Sequence, residues 1–193
     1  MNFKKDSKYP MKLFVDNGLN FCWYSVKVGW DLQYLTSEEV SNFAIYYLEQ
    51  HPNIVNKYIS EIIFGIKNDE METYLSDVLE SLRLERIEKN SSIWNKEWRK
   101  WRYCIMKNIV QNSKNDAELL ERIEEVYADF GYPEDMASFI YYVPVDEAAI
   151  SLHNLNQNEA RARLVQKVKD FILQEKIKID QGIDTLPFKG IEY

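Results

Sequence analysis

Apolar residues recur every three to four positions along most of the chain, the period of an amphipathic helix. From the N-terminus, residues 10–17 predict a short helix with Met11, Phe14 and Val15 inward, ended by Gly18. Residues 19–28 carry two patterns: Leu19, Phe21 and Trp23 alternate as in a strand, while Phe21, Cys22, Ser25, Val26 and Gly29 are helically spaced. The helical surroundings favour a helix. Thr36-Ser37-Glu38-Glu39 is a capping box, in which the Thr36 hydroxyl accepts from the Glu39 amide and Glu39 reaches back. Val40, Phe43, Ala44, Tyr47 and Leu48 continue it to Gln50, and His51-Pro52 breaks the chain. Val55, Ile59, Ile62, Ile63 and Ile66 mark a further helix. Asp69 then caps one bearing Met71, Tyr74, Leu75, Val78, Leu79 and Leu82.

Ser91 or Ser92 caps a helix over residues 93–111, and Asn115 or Asp116 caps the next, with Glu118 three positions after Asn115. Leu119, Leu120, Ile123, Val126, Tyr127 and Phe130 form its stripe. Gly131 suits the left-handed residue after a helix, and Pro133 the first turn of another that carries Met136, Phe139 and Ile140 and stops at Pro144. A short helical piece at 148–152 and a last helix near 159–175 follow, the latter with Leu164, Val165, Val168, Phe171 and Ile172 on one face. Connections of about two to six residues favour antiparallel hairpins, and turn dipeptides between alternating runs are missing. The expected architecture is all-α: one domain of antiparallel amphipathic helices over residues 1–176, frayed at 1–8, with a flexible C-terminal arm at 177–193.

Length and composition agree with a globular fold. The chain has 193 residues, long enough to bury a core, and is 46% hydrophobic. No apolar run reaches the ~18 residues of a spanning helix, and the first residues lack the apolar centre of a signal peptide, so a cytoplasmic protein is expected. The net charge of −7 speaks against general nucleic-acid binding and suits a basic partner. Cys22 and Cys104, far apart in apolar surroundings, read as reduced thiols.

Candidate chemistry is sparse. Trp94, Trp98, Trp101, Ile105 and Ile109 share one face among bases, and a buried stripe explains them better than base stacking. Two histidines, His51 and His153, sit in no catalytic or zinc pattern, so no enzyme, cofactor or metal site is expected. The distinctive stretch is Asp116 to Glu147, with ten acids against one base, Arg122. Its outward carboxylates Glu118, Glu121 and Glu125, with Glu134 and Asp135, read either as a solvated face or as a docking surface for a basic partner. Tyr132 and Tyr141 flank it as aromatic anchors, unless the core absorbs them. Asp129 opposes the helix dipole near a C-terminus. An antiparallel hairpin about residue 114 places it opposite Arg99, and Glu125 near Arg102, so a structural ion pair of Arg99 or Arg102 with Asp129 or Glu125 is expected.

The run Glu125-Val126-Tyr127-Ala128-Asp129-Phe130, then Tyr132-Pro133-Glu134, Phe139 and Tyr142-Val143-Pro144, resembles a bacterial family known as domain of unknown function 2247. Trp23, Gly29-Trp30, Thr36 and Phe43-Ala44 are similar to its opening, and the resemblance spans roughly residues 10–150. Members are often encoded beside polymorphic toxins. The resemblance therefore implies an immunity protein that binds a cognate secreted toxin, with a nuclease fitting an acidic helix that mimics phosphate. Two alternatives stand beside it: a helical adaptor or regulatory module, and an enzyme with a carboxylate-lined cleft.

Overall fold

The computed structural model describes residues 8–140 and 157–184. Every regular element among them is helical: α1 (Lys12–Asp16), α2 (Trp23–Asp31), α3 (Ser37–Gln50), α4 (Lys57–Phe64), α5 (Met71–Ser81), α6 (Ser92–Asn112), α7 (Asp116–Asp129), a 3₁₀ helix η1 (Glu134–Phe139) and α8 (Gln157–Asp180). The all-α reading holds. No helix among the described residues is long and apolar enough to cross a membrane.

Local chemistry sets most of these boundaries. The Thr36 capping box forms at both of its hydrogen bonds, each 3.3 Å. The ambiguous segment is helical from Trp23, with the amide of Cys22 donating to Ser25 Oγ at 3.2 Å. Val55 does not start α4. Residue 56 is extended, and its Asn side chain accepts from the amides of Tyr58 and Ile59, so the helix begins after it and Val55 is fully exposed. Asp69 does not cap α5 either, because Glu70 already has helical angles and no side chain closes that end. In α1 it is Leu13 and Phe14 that face inward, and Val15 points out. The final helix runs to Asp180, so residues 177–180, expected to begin the C-terminal arm, are helical; Gly182 (φ 69°) ends it, and the Ile183 amide donates a hydrogen bond to Lys178 O. The expected piece at 148–152 lies outside the described residues.

Contacts cluster into two compact units, Met1–Trp101 and Arg102–Tyr193. In the first, α3 packs on α4, α4 on α5 and α5 on α2. Its centre is aromatic: Trp101 meets Phe14, Phe21 and Tyr34 edge-on at 4.8–5.9 Å, and Phe43 meets Phe21 and Trp23 at 5.3 and 4.9 Å. Such geometry brings ring edges to ring faces, adding to area burial. Gly29 admits the indole of Trp101 against the α2 backbone. Two charged side chains brought inside, Glu97 and Lys27, are paired. Glu97 accepts from Ser25 Oγ (2.6 Å) and Lys100 Nζ (2.5 Å), and Lys27 lies between Asp31 (2.5 Å) and Glu72 (2.8 Å). Burial holds the Asp31 carboxyl above its ordinary range, against the pull of Lys27. In the second unit α8 packs on α7 and η1, burying Ile123, Val126, Met136, Phe139, Leu164, Val168 and Ile172.

Trp94, Trp98, Trp101, Ile105 and Ile109 are buried as anticipated, and so are Glu97, Arg99 and Arg102 beside the stripe. A helix buried nearly all round must satisfy its charges internally.

Candidate protein-docking surface

The acidic stretch builds one corner of the second unit. Asn115 opens α7 by accepting from the Glu118 amide at 3.0 Å, and Glu118 Oε2 accepts from the Lys114 amide at 2.8 Å. Glu118 is thereby half-buried and engaged in the cap. The apolar stripe from Leu119 to Phe130 turns inward, which leaves Glu121 and Glu125 exposed one turn apart on the opposite face.

At its end α7 closes in a Schellman turn. The amides of Gly131 and Tyr132 donate to Ala128 O (3.0 Å) and Tyr127 O (2.9 Å). Gly131 takes φ 74°, and Tyr132 follows at φ 59°, a conformation uncommon outside glycine and asparagine. This swings the Tyr132 side chain outward, 62% exposed, with its ring edge-on to Tyr127 at 5.3 Å. Burial, and secondarily the neighbouring Tyr132, raise the Tyr127 hydroxyl above its usual range. Pro133 is buried, and Glu134 at the start of η1 faces solvent. Among the described residues no hydrogen bond or ion pair engages Glu121, Glu125 or Glu134.

Asp135 departs from its expected role. Rather than facing a partner, it grips Arg102 through two parallel bonds of 2.9 Å each. Arg102 is fully buried, and its Nε and Nη2 also donate to Glu175 at 3.0 and 2.6 Å, with the guanidinium over the Phe171 ring at 4.8 Å. Lys178 adds a longer contact to Glu175 at 3.3 Å. Arg102 therefore anchors η1 to α8, with acids other than the Asp129 or Glu125 suggested by hairpin register. That register weighed α7 alone, whereas Glu175 is 73 residues away on α8. The missed signal was legible: Val168, Ile172 and Glu175 fall at i, i+4 and i+7, so an acid sits on a buried stripe. Arg99 and Asp129 each have an interaction partner. Tyr141 lies outside the described residues.

Other chemistry is thin. Among the described residues no group of three or more His, Cys, Asp or Glu side chains is arranged to hold a metal ion. Cys22 and Cys104 are free thiols. An open groove of about 770 Å³ in the first unit is lined by Glu72, Asp77, Glu80 and Glu85 with Arg83 and Arg86. Three of its acids share α5 and the fourth follows in the next turn, so they line one wall rather than converge from separate helices.

Fold and site together define an all-helical protein with a buried Arg102–Glu175 pair and an acidic corner, Glu121, Glu125 and Glu134, turned to solvent. The chain belongs to the family described as "Uncharacterized protein conserved in bacteria (DUF2247)", whose model matches residues 11–176. No curated protein and no solved structure matches it.

Proposed function

We propose that this is a stoichiometric protein-binding module, a bacterial immunity protein that occludes a cognate secreted toxin rather than catalysing a reaction. The observation that carries the reading is the α7–η1 corner, where Glu121, Glu125 and Glu134 are exposed and Tyr132 turns outward between the two elements. Exposed acids of one sign steer a basic partner in, and a rigid aromatic just past the end of α7 supplies contact area at low entropic cost. Tyr132 is held in place by its turn, so little ordering remains to be done on binding. The toxin is then a basic protein, and a nuclease suits the reading because carboxylates at helical spacing occupy a cleft built for phosphates. Asp135 supports the corner from within, and Glu118 shapes its helix start.

The test is co-expression with the toxin encoded by the adjacent gene, and co-purification of the two products. The native chain is expected to restore growth and form a one-to-one complex. Glu121→Lys with Glu125→Lys, or Tyr132→Ala, is expected to lose protection while remaining folded. Full protection by the charge-reversed chain would remove this surface from consideration. A neighbour without a secretion domain and variable C-terminus would favour a helical adaptor acting on another partner.

A further inference from the structure

The first unit carries a second surface that the acidic corner does not explain. Four large apolar side chains in the twenty residues from Ile45 to Val55 to Phe64 are exposed: Ile45 (42%), Tyr46 (56%), Val55 (100%) and Phe64 (89%). Helix geometry places two of them on one seam. Ser41 Oγ of α3 donates to Ile62 O of α4 at 2.8 Å, so that side of α3 faces α4, and Ile45 follows Ser41 by one turn on the same flank. On α4, Tyr58 packs edge-on against Tyr74 of α5 at 6.3 Å, which assigns that flank to α5. Phe64 lies about 120° from Tyr58 at 100° per residue, on the outer face of α4 beside Lys57. Ile45 and Phe64 thus both face outward along the α3–α4 hairpin.

Its surroundings are acidic. Glu38 and Glu49 flank Ile45 on α3, Glu61 stands on the outer face of α4, and the one base on that face, Lys57, lies over the ring of Tyr58 at 4.5 Å. A second copy of the chain placed on this seam would set acidic rim against acidic rim, a repulsive arrangement in an isologous pair. A segment with an apolar stripe and basic flanks meets both features at once.

We infer that the α3–α4 seam docks an amphipathic basic helix of another protein, seated on Ile45 and Phe64 and held at its edge by Glu49. The surface lies wholly within the first unit, and stands or falls independently of the acidic corner on α7. Helix-in-groove recognition of this kind reads an apolar stripe through spaced anchors and sets orientation by the charges beside it.

The probe is a Leu/Lys amphipathic peptide of about 18 residues, with a Leu/Glu peptide of the same pattern as control. The readout is amide chemical-shift change across the full chain. Shifts concentrated over residues 38–64 with Leu/Lys, absent with Leu/Glu, support the inference. So does affinity about tenfold weaker in Ile45→Ser/Phe64→Ser and weakened again in Glu49→Lys, both exposed changes whose fold is checked by circular dichroism. Shifts confined to α7, shifts unchanged in these variants, or no binding at all overturn it. Sedimentation of the chain alone as a dimer that the serine variant dissolves also overturns it, because a second copy then covers the seam.

Discussion

The fully buried Arg102–Glu175 pair gives the sharpest test of how this protein holds itself together. Arg102→Met keeps much of the side-chain volume beside Phe171, but removes from Glu175, itself fully buried, the two hydrogen bonds of 3.0 and 2.6 Å that Arg102 donates. Stranding one member of a buried pair costs about 3–5 kcal/mol, chiefly as the desolvation of the remaining charge. Against a total stability of about 5–15 kcal/mol, that is a large share. At about 2–4 °C per kcal/mol for a chain of this size, melting falls by roughly 6–20 °C. Glu175→Leu alone strands Arg102 less completely, because Asp135 still holds two of its N–H groups. The double variant Arg102→Met/Glu175→Leu replaces the pair by apolar contacts and is expected to recover most of the loss, a coupling of about 2–3 kcal/mol. Urea unfolding of the four proteins, followed by circular dichroism, completes the cycle. Additive losses, or an Arg102→Met cost under about 1 kcal/mol, would refute the claim that these charges are a buried, mutually dependent pair.

Three further outcomes are expected. Gly29→Ala puts a Cβ 2.6 Å from Trp101 Cζ2 and 2.9 Å from Leu35 Cδ1, so despite alanine's better helix propensity it should destabilise by about 1–3 kcal/mol in thermal unfolding. Thr36→Ala removes the acceptor for the Glu39 amide and should cost about 1 kcal/mol, with Thr36→Asn restoring most of it. Asp31 supplies a pH dependence: its folded carboxyl binds a proton more tightly than the unfolded one, so its contribution worsens as pH rises through that interval and improves as pH falls. Relative to Asp31→Asn, the native chain should therefore gain stability as pH falls toward the ordinary aspartate pKa of about 4, and a loss in that direction would contradict the sign.

How much was legible follows from which forces are local. The Thr36 box, the Asn115 cap, the Gly131 turn and the α7 stripe are decided within a few residues, and all four formed where periodicity and cap chemistry placed them. Val55 and Asp69 misled because an apolar or acidic residue beside a helix carries the same composition as one inside it. At Asn56 the cap hydrogen bonds decide, and they were overlooked. The acidic corner was half legible. Outward placement of Glu121, Glu125 and Glu134 follows from helix geometry, while the capture of Asp135 depends on Arg102, 33 residues upstream on α6. Charge pairing across a fold is set by topology, and a single helical wheel contains none of it.

The division between paired and unpaired acids also separates stability from recognition. Glu175 and Asp135 are held by Arg102, so their removal disturbs folding and binding together. Glu121 and Glu125 stand exposed at i and i+4, where like charges oppose the helix by about 0.2–0.5 kcal/mol. Both lie in the C-terminal two-thirds of α7, where the helix dipole favours cations more strongly toward its end. Changing Glu125 to Lys converts the repulsive pair into an attractive one in its better orientation, so the fold should hold or gain slightly. A loss of partner protection in that variant would then report lost contact and not unfolding. The acids least needed by the helix are the ones whose cost must be offset elsewhere, and partner binding at the α7–η1 corner is the role proposed for them.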